Sequence, residues 1–310
     1  MSQPIVYEAS ADFPICRWSK EFRQVANLLM ANPHPCALFW GSDLTVMYNK
    51  AYAEGVAGNK HPGLMGTGFQ GPFSELWDIV GPIFNECVRT GKSVAMKDQM
   101  LPIERHGFLE ETFFTWSLTP LYGGTTNLLG LYNAPFETTR QTITDRRTRT
   151  LIRLGEEVAL AKKVSNFWPK VLTALEENEF DFPFALLYSV MDETDADDGS
   201  SISSESSHAM KSCVFEGSLG VPEGHPAAPT RLDLKRSRGG FIPAFRDAMQ
   251  TREPKLLNIS DGTLPESLIE GLQWRGFGEP SKLAVVCPIR PTTGENVLGF
   301  LVIGGSLFPS

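Results

Sequence analysis

Hydrophobic residues near the start of the chain first follow a helical spacing and then form two short strand-like runs. In EFRQVANLLM (21–30) they lie three and four residues apart, which predicts a helix that ends before NPHP. Two β-prone runs follow, CALFWG (36–41) and LTVMYN (44–49), and the two residues between them predict a hairpin. Asn49 then stands where its side chain can cap the next helix, KAYAEGVAG.

A longer helical pattern starts at Pro72 and ends at Gly91, a residue type that terminates helices. Pro82 lies inside it and is expected to kink the helix or to begin its second half. Three β-like stretches follow, SVAMKDQMLPIER, LEETFFTWSLTPLY and NLLGLYNAPFE. Apolar and hydroxyl side chains alternate in the second stretch, so one face is buried and the other solvated. This order predicts an antiparallel sheet covered by helices.

Residues 140–164 are rich in charge and predict a helical linker. Leu151, Leu154 and Val158 follow each other at steps of three and four, the a/d spacing of a coiled coil. Two interpretations fit this spacing. The helix either joins two copies of the chain or packs as an amphipathic helix on its own domain, and the pattern leaves both open.

A second series of strands and helices begins at FDFPFALLYSV (180–190) and ends with KLAVVCPI and NVLGFLVIGG, joined by the turn-rich RPTTGE. Residues 192–211 are acidic and serine-rich and predict a disordered loop, because they cannot bury enough apolar surface. The sequence therefore predicts an α+β protein of two domains, each a central antiparallel sheet flanked by helices. The expected segments are an irregular amino terminus (1–20), a first domain (21–139), the helical linker (140–164) and a second domain (165–310).

Composition narrows the classes of partner and location. The net charge is −8 and the isoelectric point about 5.3, so a nucleic-acid partner is not expected, since phosphate backbones bind clustered positive charge. No apolar stretch approaches the roughly 20 residues that span a bilayer, and the amino terminus lacks the pattern of a secretion signal. Five widely spaced cysteines without a C-x-x-C pair indicate reduced thiols. We expect a cytoplasmic protein without membrane contact.

Motifs for catalysis and metal binding are missing from the sequence. The five histidines are scattered without the spacing of a helical metal pair, and no G-x-S-x-G occurs. Gly66–Gly71 matches G-x-G-x-x-G, but no strand precedes it and Pro72 removes a backbone donor, so we expect a flexible connection instead of a phosphate loop. No catalytic residue and no metal ligand is assigned, and the sequence requires no cofactor.

Aromatic residues of the first domain form the one constellation that could bind a ligand. They come from its predicted strands and helices: Trp40, Tyr48, Trp77, Phe84, Phe114 and Trp116. An interior lined in this way is either solid or holds a small molecule. The pattern leaves the two alternatives open.

Three blocks of the first domain are distinctive: CALFWGSDLTVMYNKAYAEGVAGNKHPGLMGTGF, ELWDIVGPIFNECVRTGKS and GFLEETFFTWSLTPLYG. Together they resemble a PAS domain. The segment from about 165 to 307 resembles a GAF domain, chiefly through EGSLGVPEGHPAAP and the terminal VCPI…LGFLVIG hairpin. The pairing, joined by a charged helix, is similar to the sensory input region of histidine kinases, including the hybrid kinases of fungi and bacteria.

This resemblance implies signal transduction in a two-component phosphorelay. A stimulus would alter the PAS sheet and pass through its last strand into the linker helix. An acidic-x-Thr element makes that connection in PAS proteins, and Glu137, Thr138 and Thr139 occupy its place, with Glu where Asp is usual. Together with the a/d residues of 140–164, they are the expected signal-coupling residues of a homodimer.

Departures from the family pattern limit what the resemblance implies. The reactive-cysteine motif of LOV flavin domains and the N-K…F…D-E signature of cyclic-nucleotide sites are absent. No helical His followed by an acid and no D-x-G-x-G element occurs, so no enzyme activity is expected within these 310 residues. The chain ends at GGSLFPS, before a GAF domain would ordinarily add a last helix.

Two functional hypotheses follow from this comparison. The first is a sensory input module whose kinase transmitter or response regulator acts downstream and is not part of these residues. The alternative is a free-standing PAS/GAF regulatory protein that binds a partner or a small-molecule ligand without kinase output.

Overall fold

The computed structural model describes residues 18–68, 71–124, 127–192, 211–292 and 296–305. Most of the predicted irregular amino terminus (1–20) and of the predicted disordered loop (192–211) lies outside these residues. Contacts divide the chain into two compact units, and the boundary falls between Ile143 and Thr144. We call them unit 1 and unit 2. The boundary lies four residues beyond the 139/140 boundary proposed from the sequence.

Unit 1 is built on a five-stranded sheet in which every neighbouring pair is antiparallel, in the order β2-β1-β7-β6-β3. A two-stranded hairpin, β4–β5, stands beside it. The strands are β1 (Ala37–Trp40), β2 (Thr45–Tyr48), β3 (Val94–Met100), β4 (Ile103–Glu104), β5 (Leu109–Glu110), β6 (Phe113–Gly123) and β7 (Asn127–Glu137). The predicted hairpin of residues 36–49 is confirmed by the pairing of β1 with β2.

Three helices accompany this sheet: α1 (Lys20–Ala31), α2 (Lys50–Tyr52) and α3 (Ser74–Thr90). The side chain of Asn49 caps α2 as predicted, since it accepts a hydrogen bond from the Tyr52 N–H. Helix α3 continues through Pro82 and ends at Gly91, whose φ of 65° favours glycine.

Side chains pack on both faces of the unit 1 sheet at β1. On one face, residues of β1, β2, β6 and β7 pack with α3 in what we call the inner cluster, which includes Phe39 and Phe114. On the other face, Leu38 packs with Phe22 and Leu29 of α1 in the outer cluster. Successive residues of β1 therefore enter different clusters, because side chains alternate across a strand.

Unit 2 contains a six-stranded antiparallel sheet in the order β10-β9-β8-β13-β12-β11. Its strands are β8 (Ala185–Asp192), β9 (Lys211–Leu219), β10 (Arg231–Asp233), β11 (Lys255–Asn258), β12 (Leu283–Ile289) and β13 (Gly299–Gly305). The last two pair as the hairpin predicted from RPTTGE. With antiparallel sheets and flanking helices in both units, the predicted α+β class is confirmed.

Helices of unit 2 differ from the sequence pattern at two places. The pattern of PESLIEGL (265–272) predicts a helix. That prediction is wrong, since only a 3-10 turn forms at Glu266–Leu268. Gly271, with a φ of 84°, cannot continue a right-handed helix. The charged run divides into α4 (Thr139–Ala159) and α5 (Val164–Glu176), followed later by α6 (Ile242–Thr251). Helix α4 ends in i→i−3 hydrogen bonds from Leu160 and Ala161, which close its last turn.

Candidate functional site

The inner cluster of unit 1 surrounds a cavity of about 50 Å³. Its wall is almost wholly apolar, and it is formed by α2 and the π-helical turn after it, α3, the β4–β5 hairpin and strands β1, β6 and β7. Its lining residues include Tyr52, Val56, Val80, Ile103, Trp116 and Asn133. The interior of the first domain is therefore not completely solid.

Three of the six predicted aromatic residues line the cavity: Phe84, Phe114 and Trp116. Tyr48 and Trp77 belong to the inner cluster or pack against it without lining the cavity. The assignment of Trp40 is wrong, because its side chain packs in the outer cluster, 4.8 Å from the ring of Phe22. In the run ALFW every residue is apolar, so the sequence does not show which alternate set faces inward.

Phe39, Tyr52 and Asn133 also line the cavity, and the sequence pattern does not indicate them. Phe39 is the neighbour of Trp40, and only the sheet register assigns it to the inner face. Tyr52 is fixed at the start of α2 by its N–H bond to Asn49. Asn133 lies in β7 opposite Ala37 and is 7% exposed. The one signal in the sequence that could have indicated a lining residue is Asn133, a polar residue within an otherwise apolar predicted strand.

The β4–β5 hairpin is held in place by the side chain of Arg105. Its guanidinium donates to both carboxylate oxygens of Glu137 at 2.8 and 3.0 Å and to Glu110 at 3.0 Å. It also donates to the backbone oxygen of Gly55 at 2.7 Å. The Arg105 side chain is only 11% exposed, and His106 contacts the other oxygen of Glu110. A buried, bidentate arginine–carboxylate pair of this kind is geometrically specific.

Burial disfavours the charged form of Arg105, but the hydrogen bonds and charges of Glu137 and Glu110 outweigh that effect and raise its pKa. The guanidinium therefore stays charged, and Arg105 joins two parts of unit 1. Gly55 lies in the turn that carries Val56 of the cavity wall, while Glu137 is the last residue of β7. Ile103, also in the cavity wall, lies two residues before Arg105.

The predicted coupling residues Glu137, Thr138 and Thr139 meet at the junction of β7 and α4. The Thr139 hydroxyl donates to Glu137 at 2.8 Å and accepts from the N–H of Phe113 at 3.0 Å. The Thr138 N–H donates to the Phe113 carbonyl at 2.8 Å. The first turn of α4 is thereby tied to the start of β6 and, through Glu137, to Arg105.

Farther along α4, the a/d residues of the predicted linker do not share one environment. Leu154 and Val158 pack against Trp168 and other buried residues of unit 2, whereas Leu151 is 68% exposed. Ile152 is exposed as well. Two of the three predicted seam residues therefore pack within their own unit. The exposed apolar surface of the helix is formed by the third, Leu151, and by its neighbour Ile152.

Asp181 of unit 2 anchors the middle of α4. Its carboxylate accepts from Arg146 at 3.0 and 3.1 Å, from Arg147 at 3.1 Å and from Asn178 at 2.9 Å. Burial alone raises the pKa of the Asp181 carboxyl, but the hydrogen bonds from Arg146 and Asn178 and the charges of both arginines outweigh burial. The pKa lies below its ordinary value as a result.

The glycine-rich segment Gly66–Gly71 is described except at positions 69 and 70. The Gly66 N–H donates to the carbonyl of Val46, and the Thr67 N–H donates to that of Leu64. Gly68 bridges to Thr45 at the edge of β2. The N–H groups of Gly66 and Thr67 are therefore bonded to protein carbonyls, and this part of the segment extends the sheet edge.

Among the residues that the structure describes, no group of three or more His, Cys, Asp or Glu side chains is arranged to hold a metal ion. No helix in these residues is long and apolar enough to cross a membrane.

No family model and no curated protein matches the chain. Among solved structures, a LOV protein of Rhodobacter sphaeroides is 12% identical (50% of this chain, 81% of that chain, TM-score 0.34). The GAF domain of a phosphoenolpyruvate-protein phosphotransferase from Coxiella burnetii is 14% identical (52% and 78%, TM-score 0.32). The chromophore-binding domain of a Stigmatella aurantiaca bacteriophytochrome is 11% identical (89% and 87%, TM-score 0.29). These values are too low to assign a ligand or an activity.

Proposed function

We propose that the chain is a sensory input module in which the cavity of unit 1 receives a small molecule and α4 carries the response. The observation that supports this most strongly is the position of Arg105. One guanidinium contacts the turn that forms part of the cavity wall and the carboxylate that ends β7. A change in the packing of the wall therefore reaches the junction with α4 through a single charged side chain.

Each step of this path has a physical basis. A ligand that displaces Val56 or Ile103 moves the backbone on either side of Arg105. Because arginine–carboxylate geometry is directional, such a shift weakens the bonds to Glu137. Glu137 also accepts from Thr139, which holds the first turn of α4. The helix start then becomes less restrained, which is a local change that a downstream element can read.

The test is the substitution Glu137→Gln, which keeps the shape of the side chain and removes its charge. Hydrogen exchange of the backbone amides in the first turns of α4 is expected to accelerate about tenfold or more, because a hydrogen bond to a charged group contributes about 1.5–3 kcal/mol. Glu86→Gln removes the exposed pair with Arg89 on α3 and serves as the matched control. Exchange in α4 that is equal in Glu137→Gln and the unaltered chain would contradict the proposal.

The output is proposed from the resemblance to histidine-kinase input regions. In this form the module acts in a two-component phosphorelay as a homodimer, and a histidine-kinase transmitter or a response regulator lies downstream. The second candidate is a free-standing regulator of the same architecture. An immunoblot of native cell extract, compared with the calculated 34.2 kDa, separates them. A much larger band supports the kinase input region, and a band near 34.2 kDa supports the free-standing regulator.

A further inference from the structure

The size of the unit 1 cavity restricts what it can hold. A cavity needs about 10–15 Å³ for each water-sized group, so about 50 Å³ has room for roughly three to five non-hydrogen atoms. Drug-sized ligands occupy pockets of about 300–1,000 Å³. In the packing observed here, only a very small molecule fits without displacing the wall.

One polar group of the wall has no partner within the protein. Tyr52 is 2% exposed and lines the cavity, yet its hydroxyl makes no hydrogen bond to any residue that the structure describes; only its backbone N–H does. Burial raises its pKa, so the hydroxyl keeps its proton and remains a donor. The hydroxyl is therefore available to donate a hydrogen bond to a ligand oxygen.

A second polar group lines the same cavity. Asn133 makes one side-chain hydrogen bond, from its Nδ2 to the carbonyl of Ser117 at 3.1 Å. A carboxamide offers two N–H donors and an acceptor oxygen, so hydrogen-bonding capacity remains. The Trp116 indole N–H, in contrast, is already bonded to Gln99 at 2.8 Å.

Charge is absent from this wall. None of the described lining residues is Asp, Glu, Lys, Arg or His, so an ionised ligand would lose its hydration without gaining a counter-ion. The remaining surface is aliphatic and aromatic, which favours an apolar body of matching size.

We propose that the cavity binds a small, uncharged and mostly apolar molecule of about three to five non-hydrogen atoms, whose single oxygen group bonds Tyr52 and Asn133. Short-chain ketones, alcohols and amides belong to this class. The inference rests on the proposed sensory function and specifies its ligand. Tyr52 lies three residues before Gly55, whose backbone oxygen accepts a hydrogen bond from Arg105. A ligand bound to Tyr52 is therefore expected to contact the turn that carries Gly55 and Val56.

Three probes of nearly equal shape test the inference with the full-length chain: acetone, isobutene, which lacks the oxygen, and acetate, which adds a charge. Titrations are followed through the methyl signal of Ile103 in the cavity wall, and exposed Leu256 of unit 2 is the reference. Acetone is expected to bind saturably. Once the different transfer free energies of the two probes from water to an apolar solvent are subtracted, acetone is expected to have an advantage of about tenfold over isobutene, because one buried hydrogen bond distinguishes them. Acetate is expected to produce no saturable shift.

Two variants locate the binding within the cavity. Tyr52→Phe is expected to weaken acetone about tenfold and to leave isobutene unchanged. Val80→Leu fills the space and is expected to abolish the shifts of both probes. The inference is overturned if neither neutral probe binds, if acetone has no advantage over isobutene, or if Val80→Leu leaves binding intact. Should Tyr52→Phe fail to fold, the acetone-to-isobutene ratio of the unaltered chain decides alone.

These outcomes are separate from those of the proposed function. Absence of probe binding overturns the ligand class and leaves the Glu137→Gln exchange experiment to decide the coupling path. Unchanged exchange in Glu137→Gln overturns the coupling path, even where acetone binds as expected.

Discussion

At the scale of single residues, the side chain of Asn49 connects three segments of unit 1 by hydrogen bonds. Its side-chain oxygen accepts from the N–H groups of Cys36 and Tyr52 at 3.2 and 3.0 Å. Its Nδ2 donates to the carbonyls of Asn32 and His34 at 2.9 and 2.7 Å. The residue is 2% exposed. One amide therefore joins the segment after α1, the start of β1 and the helix that carries the proposed ligand-binding hydroxyl.

We predict that Asn49→Ala lowers the free energy of unfolding of unit 1 by about 2–4 kcal/mol, because it removes a helix cap and leaves the buried N–H groups of Cys36 and Tyr52 without partners. Chemical denaturation measures this loss. Asn27→Ala, at an exposed position of α1, is the matched control and is expected to change little. A loss below about 0.5 kcal/mol for Asn49→Ala, the usual range of surface substitutions, would show that water replaces these bonds.

The cap function of Asn49 was predictable because it depends on residues three positions apart. Its bonds to the 32–36 segment were not, since they join backbone groups that only the tertiary fold brings together. The same reason explains Arg105. The sequence predicts Glu137 as a coupling residue, but it gives no indication that the cation in contact with Glu137 is Arg105, 32 positions away.

At the scale of elements, part of α4 follows one of the two interpretations of the linker that the sequence left open, and the dimer through this helix stays a prediction. Leu154 and Val158 pack on unit 2, as an amphipathic helix packs on its own domain. Leu151 and Ile152 keep an exposed apolar surface that a second copy could cover. Heptad spacing alone could not separate Leu151 from Leu154 and Val158, because the three residues follow each other at steps of three and four.

We predict that Leu151→Asp weakens self-association and leaves the melting temperature nearly unchanged, since its side chain is 68% exposed. Leu154→Asp serves as the contrasting variant and is expected to lower stability by about 2 kcal/mol or more, because it places a charge against a buried apolar cluster. Sedimentation equilibrium and thermal unfolding measure the two effects. An unaltered mass in Leu151→Asp would refute a dimer through this surface.

At the scale of the whole molecule, two units with separate hydrophobic clusters are expected to unfold in separate transitions. Asp181 allows the transition of unit 2 to be recognised. Because its folded pKa lies below the ordinary value of 3.8, its ion pairs stabilise unit 2 fully above that pH. This stabilisation is lost as the pH falls through the folded pKa.

We therefore predict that Asp181→Asn lowers the melting temperature of one calorimetric transition at about pH 6 and that the difference from the unaltered chain shrinks as the pH falls below about 4. The transition that Asn49→Ala shifts should stay unchanged. Glu223→Gln, at an exposed position of unit 2, is the control. A difference that stays constant over this pH range would mean that the ionised carboxylate is not what stabilises unit 2.

The sequence by itself determined the α+β class, the β1–β2 hairpin, the cap at Asn49 and the end of α3 at Gly91, because each depends on residues close together in the chain. Only the tertiary structure decided that Phe39 and not Trp40 faces the cavity, that the Tyr52 hydroxyl is left without a partner, and that Arg105 joins the cavity wall to Glu137. These features depend on sheet register and on contacts between distant residues. When apolar side chains cover both faces of a strand, as in β1, the hydrophobicity pattern does not show which residues face the cavity.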